Sequence, residues 1–295
     1  MVSIGMPVYN GEKYIMRALD SLIAQDYEKF EIIVSDNAST DQTPTILEEY
    51  ASKYPHIRIY TQPENVGAQP NFIKVLKLAR GEYFMWAAID DYWLPSFLPS
   101  LVNELNNHPD SGVAMCGVEC VLDDGAPHRT VRFSGEDDPS SKDFLSMALA
   151  LVSPNNYNFF IYGVFRRELL LDAIKLLPEM EASDRWLMLQ ISLATKFCYI
   201  DDVLHIRTIH TKPYYERYPA DELIRKQIEY EQKWFHFRSI PDVARMICRS
   251  AIIPWHRKFF VLIILPYFIH RRIKRGLRRT KQSVKRFYRA LLKDS

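Results

Sequence analysis

Residues 82–95 read EYFMWAAIDDYWLP, an apolar segment that runs directly into two adjacent carboxylates and then into aromatic residues and a proline. The pattern predicts a buried strand that ends at Asp90 and Asp91. Adjacent carboxylates repel each other when they lose solvent, unless a cation lies between them. The stretch therefore indicates a divalent-metal site. The simpler alternative is that one of the two acids caps a helix that starts near Ser96.

The chain before this stretch alternates between two apolar patterns. Residues 2–8, 30–35 and 57–60 are short apolar runs of the kind that form strands. The segments between them carry apolar residues at helical spacing, and a further helical segment precedes residue 83. This order predicts an α/β, Rossmann-like fold with a mostly parallel central sheet.

Polar side chains follow the carboxyl ends of the predicted strands. In strand order they are Tyr9, Asn10, Asp36, Asn37, Asn65, Asp90 and Asp91. Ligands bind at the carboxyl edge of such sheets, so the clustering predicts a ligand site there. The glycine-rich fingerprints of dinucleotide-binding and phosphate-loop proteins are absent from the sequence, which argues against both of those classes.

The charge of the chain divides into an acidic body and a basic tail. Residues 257–295 contain 13 Lys and Arg and one acid, a net charge of +12, whereas residues 1–256 carry −10. The alternation of strands and helices stops near residue 213, and residues 220–238 read as a long helix. We therefore expect two regions, a catalytic domain over residues 1–215 and a helical, basic extension over 216–295.

An apolar run at residues 259–269 lies within the basic tail. Eleven helical residues reach about 16 Å against about 30 Å of hydrocarbon, so we expect this segment to lie on an anionic membrane rather than to span it. The alternative is a core helix followed by a solvated basic helix. The acidic body argues against nucleic-acid binding. The absence of a secretory signal and of a cysteine framework predicts a cytoplasmic protein at the inner face of the membrane.

Several segments resemble the family 2 glycosyltransferases. The longest is residues 2–43, VSIGMPVYNGEKYIMRALDSLIAQDYEKFEIIVSDNASTDQT. The others are residues 64–72 (ENVGAQPNF), 89–95 (IDDYWLP), 162–167 (YGVFRR), 183–187 (SDRWL) and 207–210 (RTIH). The resemblance covers about residues 1–215. It implies a GT-A fold and transfer of a sugar from a nucleotide diphosphate donor, usually with inversion.

The resemblance also implies roles for individual residues. The expected donor-binding residues are Pro7, Tyr9, Asn10, Asp36, Asn65, Gly67 and Asp90. The expected ligands of Mn²⁺ or Mg²⁺ are Asp90, Asp91 and His210. Asp184 is the expected general base, and Asp36 is expected to accept a hydrogen bond from a uracil- or thymine-type ring N–H. The alternatives are that Asp184 only complements a helix dipole and that His210 is a solvated loop histidine.

The expected reaction is the addition of a single sugar from a UDP- or dTDP-linked donor to a lipid-linked or cell-surface polysaccharide acceptor. The QxxRW signature and the membrane spans of processive family members are absent from the sequence. Two departures from the family pattern leave other hypotheses open. Ala88 stands where the metal motif usually begins with an acid, and Ser183 stands where an acid often precedes the base. The first alternative is a catalytically impaired module that binds a nucleotide or a partner. The second is a nucleotidyltransferase.

Overall fold

The computed structural model describes residues 1–152, 156–177, 183–211, 235–267 and 269. Strands within these residues form one sheet. They are β1 (Val2–Val8), β2 (Phe30–Asp36), β3 (Ile57–Thr61), β4 (Tyr83–Trp86), β5 (Tyr92–Trp93), β6 (Ser111–Leu122), β7 (Pro127–Val131), β8 (Val164–Arg166) and β9 (Lys196–Ile209). Their order in the sheet is β3-β2-β1-β4-β8-β6-β9-β5, with β7 paired to β6.

Helices connect and cover these strands. They are α1 (Ile15–Ile23), α2 (Thr43–Lys53), α3 (Ala68–Leu78), α4 (Phe97–Asn107), α5 (Phe144–Val152), α6 (Arg167–Ala173), α7 (Ser183–Ala194), α8 (Phe235–Arg249) and α9 (Trp255–Lys258). The predicted alternation of strand and helix up to β4 is confirmed. Most of the helix predicted over residues 220–238, and the basic tail beyond residue 269, lie outside the described residues.

The direction of the strands brings several chain segments to one edge of the sheet. Strands β3, β2, β1 and β4 are parallel. Strand β8 runs antiparallel to both β4 and β6, so β6 is parallel to β4, and β9 is in turn parallel to β6. The carboxyl ends of β1, β2, β4, β6 and β9 therefore lie along the same edge, where the sequence predicted a ligand site.

The central strands are fixed by burial on both faces. Val2, Ile4 and Met6 of β1 are fully buried, and so are Ile15 and Leu19 of α1, which belong to the same apolar cluster. Each such side chain contributes about 1.5–3 kcal/mol when it leaves water. The loops at the carboxyl edge thus extend from a rigid base.

Residues before two of the helices make other contacts than helix caps. Helix α2 begins at Thr43, and the hydroxyl of Ser39 upstream of it is bound to the carboxylate of Asp36. Helix α4 begins at Phe97 after Ser96, and neither Asp90 nor Asp91 caps it. The side chains of both acids are directed instead toward β9.

The described part of the C-terminal region packs on α7. A second apolar cluster joins α5 and α7 to α8 and the segment after it, through Ala148, Trp186, Leu189, Leu193, Val243, Met246, Ile247, Ile253, Val261 and Ile264. Arg257 reinforces this contact, donating to the carbonyls of Leu193 and Ala194 at 3.2 and 3.1 Å. Within the described ranges, no helix is both long enough and apolar enough to cross a bilayer.

Candidate active site

Asp36 is the last residue of β2 and lies at the carboxyl edge of the sheet. Its side chain is buried, and its Oδ1 atom accepts hydrogen bonds from the backbone N–H of Ser39, at 3.2 Å, and from the Ser39 hydroxyl. The other carboxylate oxygen, Oδ2, is also buried, and no described residue donates to it. A buried acceptor without a donor costs free energy, so this atom is suited to a ligand N–H.

The predicted residues Asn65 and Gly67 lie beside β2 because Asn37 holds their loop. The Asn37 amide donates to Asn65 Oδ1 at 2.8 Å, and its own Oδ1 accepts from the Val66 N–H at 2.9 Å. Gly67 precedes α3 with φ of 86°, a left-handed conformation that glycine adopts without strain. The loop between β3 and α3 is therefore fixed against the end of β2.

The end of β1 is joined to the loop after β2. The Asn10 N–H donates to the Ser39 hydroxyl at 2.9 Å, and Asn10 Oδ1 accepts from the Thr40 N–H at 2.8 Å. Asn10 has φ of 49°, which asparagine tolerates better than most residues. Tyr9, which precedes it, and Pro7 of β1 are both partly exposed. The predicted donor-binding residues of β1 and β2 thus share one edge of the sheet.

Asp91 is part of the core rather than of the open edge. Its side chain is 2% exposed, and its two oxygens accept separate hydrogen bonds. Asp91 Oδ1 lies 3.0 Å from the Thr208 N–H, and Oδ2 lies 3.0 Å from Nε2 of the buried His205. The His205 ring stacks on Trp93 with an interplanar angle of 4°. Both oxygens of Asp91 are thus engaged inside the protein, and its role as a metal ligand stays a prediction.

Asp90 and His210 meet at the open edge. His210 Nε2 lies 2.6 Å from Asp90 Oδ2, and His210 Nδ1 is hydrogen-bonded to the carboxylate of Asp123. The His210 side chain is only 9% exposed, which contradicts the solvated-loop alternative. Arg17 of α1 donates to the Asp90 carbonyl at 3.0 Å and to the Thr208 hydroxyl at 2.9 Å. The backbone of Asp90 is therefore held from two directions.

The donor set of Asp90 and His210 fits a divalent cation. A carboxylate oxygen next to an imidazole nitrogen suits Mn²⁺, and the carboxylate suits Mg²⁺. Another group of ligand atoms, from Glu104, His108 and Cys198, lies within 4.8 Å of one another. Cys198 is near the amino end of β9, so this group lies at the opposite edge of the sheet from His210.

Asp184 lies in the first turn of α7 and is exposed. Burial raises the pKa of Tyr162, the charge of Arg207 opposes this rise, and the carboxylates of Asp91, Asp90 and Asp184 add to it. The Arg207 guanidinium stands 5.8 Å from the centroid of the Tyr162 ring. A first-turn position also satisfies the helix-dipole alternative for Asp184.

Four residues of this edge were absent from the sequence-based prediction: Arg17, Asp123, His205 and Thr208. Asp123 directly follows the carboxyl end of β6, as Asp36 ends β2, so the strand-end pattern applied to β6 would have located it. The other three contact the acids only through the tertiary fold, and nothing in their local sequence signals those contacts.

The sequence of this chain matches a family model and several relatives among known proteins. A family model described as Glycosyl transferase family 2 matches residues 3–174. An uncharacterised glycosyltransferase of Rickettsia typhi is 36% identical over 150 residues, 50% of this chain and 45% of the relative. An uncharacterised protein of Mycobacterium tuberculosis is 44% identical over 121 residues, 40% of this chain and 35% of the relative. The matches thus span less than half the length of these relatives.

Solved structures with the same fold include two ligand complexes. S. aureus TarS residues 1–349 in complex with UDP-GlcNAc aligns with a TM-score of 0.64 and 22% identity, over 90% of this chain and 72% of that one. The mannosyltransferase PcManGT from Pyrobaculum calidifontis, in complex with GDP-Man and Mn²⁺, aligns with a TM-score of 0.51 and 18% identity, over 92% and 86%. These similarities confirm the predicted GT-A fold.

Proposed function

Because the chain belongs to glycosyltransferase family 2, we propose that it transfers a single sugar from a nucleotide diphosphate donor to an acceptor hydroxyl. The observation that supports the proposal most directly is the combination of chemistry at one sheet edge. A buried carboxylate oxygen without a donor, on Asp36, lies on the same edge of the sheet as the Asp90–His210 pair.

Asp36 is proposed to recognise the nucleotide base. Its Oδ2 atom would accept a hydrogen bond from the N3–H of uracil or thymine. This buried oxygen, to which no described residue donates, would then form a charge-assisted hydrogen bond. Tyr9, at the end of the neighbouring strand, would flank the base, and Asn65 and Gly67 would shape the wall beside it. A UDP- or dTDP-linked donor follows from this assignment. S. aureus TarS, which shares the fold, has been solved in complex with UDP and with UDP-GlcNAc, and this agrees with the assignment.

Asp90 and His210 are proposed to hold Mn²⁺ or Mg²⁺. When bound, the cation would neutralise the charge that develops on the leaving diphosphate. Asp91 is left out of this ligand set because Thr208 and His205 engage both of its oxygens. Its proposed role is to fix the turn that carries Asp90. The missing acid at Ala88 leaves Asp90 as the carboxylate ligand of this segment.

Asp184 is proposed as the general base. Its exposed carboxylate would remove the proton of the acceptor hydroxyl while that oxygen forms a bond to the anomeric carbon. The bond between the anomeric carbon and the diphosphate breaks on the opposite face, and the nucleoside diphosphate leaves with the electron pair. The configuration at the anomeric carbon is inverted. General-base assistance of this kind contributes about 10²- to 10⁴-fold in rate.

The acceptor is proposed to be a lipid-linked or cell-surface glycan presented at an anionic membrane. Trp255, Phe259, Leu262 and Ile263 are 75, 61, 71 and 50% exposed, on a segment whose other side is buried against α7 and α8. A cluster of large exposed apolar residues is typical of an interaction surface. Basic residues lie within this segment and throughout the tail that follows, so an anionic lipid surface is the occupant that the charge favours.

The catalytic proposal is tested by incubating the purified chain with UDP-, dTDP- and GDP-linked sugars in Mn²⁺ and measuring release of the nucleoside diphosphate. We expect cleavage of a UDP- or dTDP-linked donor. The rate should fall about 10²-fold or more in Asp184→Asn, by loss of the general base. Asp172→Asn, an exposed acid on α6, is the matched control and should retain the wild-type rate.

Three outcomes would contradict the proposal. Failure to cleave every donor, together with nucleotide binding that is independent of metal and of Asp90→Ala, would favour an impaired binding module. Wild-type rates in Asp184→Asn would remove the general base. Release of pyrophosphate from a nucleoside triphosphate and a sugar phosphate would identify a nucleotidyltransferase.

A further inference from the structure

The turn between β6 and β7 supplies a carboxylate that has no role in the reaction proposed above. Strands β6 and β9 are parallel, and their register pairs Leu122 with Ile209. The next residue of each strand lies at the open edge. Asp123 follows Leu122 and His210 follows Ile209, so the sheet itself places the two side chains next to each other.

The contacts of Asp123 are directed at His210 and its immediate neighbour. Asp123 Oδ1 is hydrogen-bonded to His210 Nδ1 and accepts from the Tyr14 hydroxyl at 3.3 Å. Asp123 Oδ2 accepts from the Thr211 N–H at 2.9 Å and from the Thr211 hydroxyl at 3.3 Å. The Tyr14 ring meets the His210 ring edge-on, with centroids 5.4 Å apart. The imidazole is thus held by a carboxylate at one nitrogen and by an aromatic ring at its side.

Both oxygens of the Asp123 carboxylate are engaged, one by His210 Nδ1 and the other by the Thr211 N–H. A carboxylate that accepts from the far nitrogen of a histidine fixes which ring nitrogen carries the proton. With the proton on Nδ1, the lone pair of Nε2 is directed toward the side where Asp90 lies.

We infer that Asp123 is a positioning residue, which orients His210 so that its Nε2 atom and Asp90 form a preset pair of ligands for a divalent cation. The inference rests on the proposed function of Asp90 and His210 as metal ligands. Asp123 would not touch the cation itself. Carboxylates that support a ligating histidine in this way typically contribute about 10- to 100-fold in metal affinity.

The experiment is a titration of Mn²⁺ into the full chain with saturating UDP, in which the free ion is measured by electron paramagnetic resonance. Asp123→Asn keeps the size of the side chain but loses one acceptor, and we expect its Kd for Mn²⁺ to rise about 10- to 100-fold. Asp124→Asn is the matched control in the same turn. Asp124 Oδ1 accepts from the Ala126 N–H at 2.9 Å, a bond that asparagine preserves, and its Kd should remain that of the wild type.

A double-mutant cycle separates positioning from a general structural effect. In a His210→Ala background, Asp123→Asn should cause no further loss of Mn²⁺ affinity, since the ring that it orients is gone. An equal loss in both backgrounds would overturn the inference. Wild-type affinity in Asp123→Asn, together with loss in Asp90→Ala, would also overturn it and leave the proposed metal site intact. If the wild-type protein binds no Mn²⁺ with UDP, both the metal site and this inference are wrong.

A measurement on the wild-type chain covers the case in which Asp123→Asn does not fold. Histidine ¹⁵N spectra in the presence of UDP and Mg²⁺ report which ring nitrogen of His210 carries the proton. We expect the proton on Nδ1. A proton on Nε2 would contradict the inference, because that nitrogen would then be unable to bind a cation.

Discussion

Replacement of Asp91 is expected to lower the free energy of unfolding rather than to remove a metal ligand. The side chain is buried and accepts two hydrogen bonds at 3.0 Å, from the Thr208 N–H and from His205 Nε2. Asp91→Ala removes both and leaves the two donors buried without an acceptor. Each buried donor that is left without an acceptor costs about 1–3 kcal/mol, against a typical stability of about 5–15 kcal/mol. The variant should fold but with much reduced stability.

Asp91→Asn refines the estimate. The amide oxygen can still accept from Thr208, so the loss is confined to the interaction with His205. A hydrogen bond to a charged group contributes about 1.5–3 kcal/mol, and Asp91→Asn should therefore lose about half as much as Asp91→Ala. Asp202→Asn, an exposed acid on the same strand as His205, is the control and should stay within about 0.5 kcal/mol of the wild type.

The assay is urea unfolding followed by tryptophan fluorescence, because Trp93 lies against His205 and reports the surroundings of Asp91. Mn²⁺ affinity is measured in parallel on each variant that is folded. The reasoning is refuted if Asp91→Asn unfolds at the wild-type urea concentration and binds Mn²⁺ at least tenfold more weakly. That result would return Asp91 to the metal site.

Three further predictions follow from other parts of the fold. Burial raises the pKa of Glu31, but hydrogen bonds from Ser3 and Arg80 and the charge of Arg58 outweigh it and lower the pKa below 4.5. The Glu31 carboxylate therefore stabilises the folded protein at pH values above its unfolded pKa, and this stabilisation is lost as the pH falls through its folded pKa. The difference in Tm between the wild type and Glu31→Gln should be largest near neutral pH and vanish in acid. Asp36→Asn should weaken UDP binding by about tenfold or more and leave Tm within a few degrees, as calorimetric titration would show, whereas unchanged affinity would exclude it from base recognition. The triple variant Trp255→Ser, Phe259→Ser and Leu262→Ser should lose flotation with anionic vesicles while Met16→Ser, also an exposed apolar residue, retains it; equal flotation of both would exclude this face as the membrane contact.

The first half of the fold could be predicted because its signals are local. Apolar runs and helical spacing located β1 to β4 and the helices between them, and the rule for carboxyl ends of parallel strands located the site. The second half depends on pairings between distant segments. Strand β8 enters the sheet antiparallel between β4 and β6, and β6 pairs with β9 in a register that shifts near Gly117. Neither the insertion nor the shift has a pattern in the local sequence.

The same contrast between local signals and distant pairings explains which residues of the site could be predicted. Asp36 and Asp90 were predicted because each was expected at the carboxyl end of a recognisable strand; Asp36 ends β2, whereas β4 ends at Trp86 and Asp90 lies in the segment that follows it. The partner of Asp91 was missed because His205 is 114 residues away and reaches it only through the pairing of β5 with β9. The contacts of Ser39 were missed for a related reason, because its hydroxyl donates to the carboxylate of Asp36 and accepts from the N–H of Asn10, which is 29 residues away.

The adjacent acids at residues 90 and 91 resolve their repulsion by separation rather than by sharing one cation. The Asp91 side chain enters the core and meets His205, whereas the Asp90 side chain stays at the open edge and meets His210. Each carboxylate thus has its own imidazole, and both imidazoles come from the last strand of the sheet or the residue after it. Since the contacts of Asp91 are complete without a metal, removal of the cation by a chelator should abolish donor cleavage and leave the fold of this edge intact.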